Sequence, residues 1–510
     1  MVNGYGRARN ASLLLLAVLW AFATMPAIGD VILEDLKLLA SDGDVGDMFG
    51  NAVAMAGGVI AVGAPNDDDM GANSGAAYLL SAATGTELFK LIPDDGATGD
   101  RLGYSIAMAG GIVAVGAPGR SDNGSASGAA YLFDAATGAQ LAKLTADDAE
   151  AGDEFGNSIA IDGGIVAVGA WRADDFGDGS GSAYLFDAST GNQLDKLLPD
   201  AGNNYQTFGV SIAMNAGIVA VGSRTFFVLG DGFTWAKAHL FDVSTGNLLR
   251  ELQPDIDNYN GDQGGHFADA IDMDDGLVVV GAPSRSIFYD FSGAAYVFDA
   301  STGEQLQFIY PADGHDRDHF GRSVSIDAGL IAIGADEEDD SAWSAGAAYL
   351  YDTGDFTLID KLLVSDGDLF DHFGYSIAIE EGVVASGAIG YGSSGTQTGY
   401  VAVYGIGFQT GVESDLPFAE AARLQSYPNP FNPKTTIHFE LAEAGEARLE
   451  IFDASGRRLR TLVHKDLPAG QHNASWNGKD DAGRNLPSGL YFAKLKTPEY
   501  ESATKLVLSK

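Results

Sequence analysis

The stretch "EFGNSIAIDGGIVAVGA", residues 154–170, decides the fold because the chain writes it again. Near the start it reads "MFGNAVAMAGGVIAVGAP" (48–65), with Phe49-Gly50 and Gly63-Ala64-Pro65 in place of Phe155-Gly156 and Gly169-Ala170. The first position of the phrase recurs at Phe49, Leu102, Phe155, Phe208, Phe267, Phe320 and Phe373, at spacings of 53, 53, 53, 59, 53 and 53 residues. A paired glycine follows fourteen residues later each time, from Gly63 to Gly387. Seven units in one register signal a solenoid or a propeller.

Each unit reads as strands. "NSIAI" alternates like a strand with two different faces, and "GIVAVGA" is apolar enough to be buried on both. "GAAYLFD" follows a polar loop, "ATG" or "STG" supplies a turn, and a weaker strand such as "AQLAKL" ends the unit. Four strands per unit of this length is the pattern of a propeller blade. The weak strand ends in Lys90-Leu91, Lys143-Leu144, Lys196-Leu197 or Lys361-Leu362. A further copy, "LKLLASDGD" (36–44), precedes the first unit, while the seventh stops at "YVAVYG" (400–405) without one. The spare N-terminal strand is therefore expected to complete blade seven and close the ring, pairing an edge otherwise left open.

These signatures resemble the FG-GAP repeats of integrin α-subunit propellers and their bacterial relatives, over roughly residues 33–405. The resemblance implies a seven-bladed ring. Many integrin blades carry an Asp-x-Asp-x-Asp-Gly calcium loop between the Phe-Gly and Gly-Ala-Pro strands. Here that connection is only "AGG", "DGG" or "NAG", too short to wrap a cation needing six to eight oxygens.

Charge sets the next bounds. The 510 residues include 70 acids and 29 bases, a formal net charge of −41, and no cysteine. The surface repels nucleic acid and anionic membranes, and disulfides and thiolate chemistry are excluded. Residues 30–420 hold 60 acids against 14 bases, whereas residues 421–510 hold 10 against 13. Within the ring the acids gather in two loop classes. One precedes Phe-Gly ("SDGDVGDM", "PDDGATGDR", "SDGDLFDH") and the other follows Gly-Ala-Pro ("NDDDMG", "RADDFGDG", "DEEDDS"). In a four-stranded meander both emerge on one side, so one face is expected to be acidic. It is either a solvated like-charge surface or a binding face for divalent cations, or for a cationic or sugar-bearing partner.

Asp42, Asp44 and Asp47, and Asp366, Asp368 and Asp371, are the best metal candidates, with calcium the expected ion. Each triplet places three carboxylates within six residues, with a glycine for a tight turn. An Asp two residues before the Phe recurs at Asp47, Asp100, Asp153, Asp318 and Asp371. That regularity fits a turn whose carboxylate accepts backbone N–H groups, or a ligand role. His266, His319 and His372 stand just before the Phe of blades five, six and seven. They read as loop histidines facing water, or as a converging trio suited to zinc. No His-Glu-x-x-His, Gly-x-Ser-x-Gly or Walker loop is present, so no catalytic residue is assigned.

The ends differ from the ring. Arg7 and Arg9, an apolar run from Leu13 to Ala21, and Ala27-Ile28-Gly29 read as a secretory signal peptide over residues 1–29. The ring is placed at 30–408 and a linker at 409–425. Residues 426–510 alternate as "TTIHFEL", "ARLEIFD", "RRLRTLV", "HNASWNG", "GLYFAKLK" and "TKLVLS", a small antiparallel sandwich. Its "YPNPFNP" opening (427–433), "IFDASGRRLRTL", "LPAGQHNASWNGKDDAGRNLPSGLYF" and terminal "KLVLSK" resemble the C-terminal sorting domains of the type IX secretion system, described as similar to the FlgD Ig-like domain. That resemblance implies passage through an outer-membrane secretion translocon.

The fold class expected is all-β, a seven-bladed β-propeller closed by an N-terminal strand and followed by a small Ig-like β-sandwich. The function expected is a secreted or cell-surface binding and adhesion protein of a bacterium, with an extracellular protein or glycan as ligand. An extracellular carbohydrate-active lyase or hydrolase, and a structural surface protein without a ligand, are the alternatives.

Overall fold

The computed structural model describes residues 32–199, 206–224, 236–255, 265–286, 290–390 and 398–405. Toward the C-terminus it describes 425–427, 434–441, 445–453, 457–468, 470–479, 481, 484, 486, 489–496 and 501–508. The leader at 1–29, the linker up to residue 424, and Pro428, Pro430 and Pro433 lie outside the described residues. The chain divides into two compact units, Met1–Phe408 and Gln409–Lys510.

The first unit is a seven-bladed β-propeller. Blade 3 is typical: strands Ile159–Asp162, Ile165–Ala170, Ser182–Asp187 and Gln193–Leu197 pair antiparallel in chain order. The second and third strands are buried almost throughout, as their unbroken apolar sequence requires. The outermost strand is half-exposed and bulged: Gln193 faces Phe186 and Asp195 faces Leu185, leaving Leu194 unpaired. The same irregularity marks the outer strands of blades 1, 2, 4, 5 and 6. A bulge at a sheet edge frustrates pairing with another chain. The first strands of successive blades neighbour one another around the axis, and that of blade 7 lies against that of blade 1.

Closure follows the expected route. Leu36–Leu38 pairs antiparallel with Tyr400–Gly405, setting Leu36 opposite Val403 and Leu38 opposite Val401. A contact the sequence did not announce joins it: Ile32–Leu33 runs parallel to the outer strand of blade 6, opposite Leu362 and Leu363.

The repeated phrase is the joint between blades. A Cβ on Gly63, Gly169 or Gly334 would fall on the carbonyl oxygen of Gly103, Gly209 or Gly374 in the following blade. The glycine of Gly-Ala-Pro is therefore required by the backbone of the next Phe-Gly. Blade 7 closes the cycle, since Gly387 packs on the Gly50 carbonyl in the same way. Serine hydroxyls fasten the same joints. Ser105, Ser158, Ser211, Ser323 and Ser376 donate to the carbonyls of Gly156, Gly209, Ala268, Gly374 and Gly50 at 2.7–2.8 Å. The Phe of the phrase packs edge-on against its own blade's third strand, as in Phe155 with Tyr184 and Phe186.

The second unit is a two-sheet sandwich. One sheet holds Gln425–Tyr427, Thr435–Leu441 and Gly470–Trp476; the other holds Arg458–Leu467, Gly445–Asp453, Gly489–Lys496 and Glu501–Leu508. Trp476 is fully buried among Ile437, Leu449, Ile451 and Leu495, and its indole N–H donates to the Lys479 carbonyl.

Candidate functional site

Both acidic loop classes do emerge at one end of the ring, and a lysine ties them together. In blade 1 the outer-strand Lys90 reaches Asp42 at 2.8 Å from one loop class, and Asp67 at 2.9 Å and Asp69 at 2.6 Å from the other. The Tyr78 hydroxyl donates to Asp42 and Asp67, and the ammonium lies 5.1 Å from the tyrosine ring centre. Lys143 repeats this with Asp95 and Asp122. Lys196 meets Asp148 and Asp175, and Lys361 meets Asp313, Glu338 and Asp340. The cage is written in the sequence as a lysine 48 residues after one acid and 21 after the other. Blade 5 carries Phe308 at the lysine position, tilted over Tyr296.

This arrangement places all six metal candidates. Burial opposes the charge on Asp42, but Lys90 and the Tyr78 hydroxyl outweigh it and hold the carboxyl below its usual range. Asp366 pairs with Lys37 at 2.9 Å. Asp47 accepts the Asp44 N–H at 2.6 Å, and Asp371 accepts the Asp368 N–H at 2.9 Å and the Tyr400 hydroxyl at 3.0 Å. Asp44 and Asp368 face solvent. Asp100, Asp153 and Asp318 accept an N–H three residues back in the same way. Carboxylates engaged by an ammonium or by turn N–H groups are a poor fit to calcium, which takes six to eight oxygens. Among the described residues no group of three or more His, Asp or Glu is placed to hold a metal ion.

The histidines belong to a different feature. The residue before each Phe adopts a left-handed backbone in all seven blades, with φ between 49° and 60°, although none is glycine. These residues are Met48, Arg101, Glu154, Thr207, His266, His319 and His372. Non-glycine residues take the same backbone region elsewhere in the ring, among them Ala216, Asp275, Ala328 and Glu381 directly after first strands. The residues before each Phe encircle the axis together with the residues two places after the Phe and those following the Gly-Ala pair. These positions vary more from blade to blade than the joints do, although Pro65, Pro118 and Pro283, Asn51 and Asn157, and Tyr104 and Tyr375 share a residue type.

Contacts link these residues within and across blades. The Trp171 indole N–H donates to Glu154 at 2.8 Å, and Arg172 reaches Glu154 at 3.0 Å while lying over the Trp171 ring. Arg224 of blade 4 meets Asp269 of blade 5 at 3.1 Å, and His266 stands 3.7 Å from Asp269. His319 and His372 both approach Asp336, at 3.8 and 3.7 Å, so two imidazoles share one carboxylate while His266 stays with its own. Arg322 lies over the Tyr375 ring at 4.3 Å. The Tyr104 hydroxyl of blade 2 is pushed up by burial and by Tyr375 of blade 7, with Arg322 of blade 6 opposing. Burial pulls against the Arg322 charge, but Tyr375, Asp336 and Asp269 outweigh it and hold the guanidinium firmly protonated. Sequence reasoning found the histidines but not this mouth, whose arginines and aromatics come from separate blades.

Comparison with known proteins follows the same division. The FG-GAP repeat family matches residues 33–80, 86–133, 139–186 and 304–351. The matched unit is offset from the blade by one strand: the first match opens on the strand that closes blade 7. The FlgD Ig-like domain matches residues 429–499. No curated protein matches the chain. Among solved structures, PorZ is similar at 15% identity and a TM-score of 0.48, over 93% of this chain. It is described as an essential bacterial surface component of the type-IX secretion system of Porphyromonas gingivalis. The chain spans 61% of the PorZ chain's length. This chain therefore carries FG-GAP repeats in its seven-bladed ring and a FlgD Ig-like domain after it.

Proposed function

We propose that the protein is an exported binding and adhesion protein, displayed on or released from a bacterial surface, that recognises an extracellular glycan or protein at the axial mouth. One observation carries this reading. The joints and cages repeat from blade to blade, while the left-handed positions at the mouth hold Met, Arg, Glu, Thr and three His. Repetition builds the scaffold, and departure from repetition makes one asymmetric surface.

A panel of glycans and matrix proteins probed with the full chain tests this. The expected result is a saturable partner whose binding falls at least about tenfold in Trp171→Ala or Tyr104→Ala, the size of effect that loss of an aromatic anchor brings. A blank panel, or binding indifferent to both changes, would overturn it.

The C-terminal unit is read as the sorting signal and residues 1–29 as the leader that precedes it in export. Moving residues 424–510 onto an unrelated exported reporter, in a host with a type IX system, is expected to bring the reporter to the surface or medium. A reporter held in the periplasm would leave the unit as an Ig-like appendage.

A further inference from the structure

Two groups stand out among the ring's few cations. Of the 14 bases in residues 30–420, Lys90, Lys143, Lys196 and Lys361 are enclosed by loop carboxylates. Arg101, Arg172, Arg224 and Arg322, from four different blades, stand instead at the axial mouth, where three of the cations are more exposed than the carboxylates they meet. The Arg172 side chain is 52% exposed over Glu154 at 27%, His266 is 47% exposed over Asp269 at 7%, and Arg322 is 33% exposed over Asp336 at 7%. A solute arriving along the axis meets guanidinium and imidazole groups together with the half-exposed Glu154 and Glu337, in the middle of an otherwise acidic end of the ring.

We propose that the mouth binds a single carboxylate, presented by an acidic sugar residue of an otherwise neutral glycan, with Arg322 and Arg172 as the receiving guanidiniums. This rests on reading the mouth as the recognition site. A guanidinium presents paired N–H donors that match a carboxylate. Arg322 is already oriented by its stacking on Tyr375, and Arg172 by Trp171. The half-exposed Tyr104 and the rings of Trp171 and Tyr375 supply flat surfaces beside the donors, suited to a pyranose bearing both C–H and hydroxyl faces. The surrounding acidic loops repel a polyanion, so one carboxylate on a neutral chain is accepted where a run of them is not.

The test titrates the full chain with methyl β-glucuronoside, with methyl β-glucoside as the neutral arm and N-acetyl-aspartate amide as the peptide arm. The glucuronoside is expected to saturate, and the glucoside to bind at least about tenfold more weakly. R322Q and R172Q are each expected to weaken the glucuronoside about tenfold. Arg172 is exposed, so R172Q keeps the test open if R322Q perturbs folding. Equal affinity for the two sugars, no saturable binding, or indifference to both substitutions would overturn the proposal. Tighter binding of the aspartate amide would overturn the sugar and leave a peptide carboxylate. A neutral glycan or protein that binds at the mouth without glucuronoside preference sinks this inference alone, whereas a blank panel removes the recognition site itself.

Discussion

Lys361→Met is expected to destabilise the ring by about 3–5 kcal/mol, the range for removing one partner of a buried ion pair. The side chains of Lys361 and Glu338 are 3% and 1% exposed, with Asp313 and Asp340 completing the cage. Methionine fills the volume and leaves three carboxylates facing one another without a cation. The equivalent Lys196→Met should cost only about 1 kcal/mol, because Lys196 is 20% exposed and meets no buried acid like Glu338. The effect also has a pH signature. Burial pushes the Glu338 carboxyl up to about 7 from 4.5, against the pull of Lys361. A folded value above the unfolded one means that the group's contribution is complete below the unfolded value and is lost as pH rises through about 7. Without Lys361 the folded value rises further, so the gap between wild type and variant should widen from pH 5 to pH 8. Urea midpoints at the two pH values measure it. A loss below about 1 kcal/mol at pH 8, or an equal loss at both, would contradict the cage as the reason these acids are there.

The ring was legible because its signal is redundant. Each Phe-Gly and each Gly-Ala pair contributes to a joint, and fixed spacing exposes the joints even where Leu102 or Ala268 departs from the phrase. The closing strand was legible because Lys37-Leu38 copies the outer-strand ending found elsewhere. The pairing of Ile32–Leu33 was not, since two residues carry no period. Which loop acids a lysine engages was not legible, for a physical reason. A carboxylate on a turn looks the same in sequence whether it awaits a cation from solvent or receives one from an outer strand. The separations of 48 and 21 residues between acid and lysine were present to be counted. The mouth was hidden because Tyr104, Trp171, Arg322 and Tyr375 occupy different places in their own blades. Only ring closure sets blades 2 and 7 close enough for Tyr104 and Tyr375 to influence one another.

Deletion of residues 30–45 is the complementary test, since it removes a joint that belongs to no single repeat. Leu38 is buried against blade 7, where Val401 and Val403 are also buried. Loss of one buried leucine side chain forfeits about 1.5–3 kcal/mol. The deletion also removes Lys37 from Asp366, Glu34 from the Ser365 hydroxyl and Asp35 from the Gly405 N–H. It leaves the third strand of blade 7, the six apolar-rich residues Tyr400–Gly405, as an edge with unpaired backbone groups, the kind of edge that recruits another chain. The truncated ring should therefore unfold at lower urea and associate in a concentration-dependent way. A synthetic peptide of residues 30–45 added in trans should reverse both effects, because the edge it pairs with persists. Leu38→Ala, which keeps the strand and thins its packing, should cost about 2–5 kcal/mol without promoting association. A truncated protein with the urea midpoint of the intact ring would mean that the inner-strand joints, from Gly63 on Gly103 round to Gly387 on Gly50, hold the circle closed without the N-terminal strand.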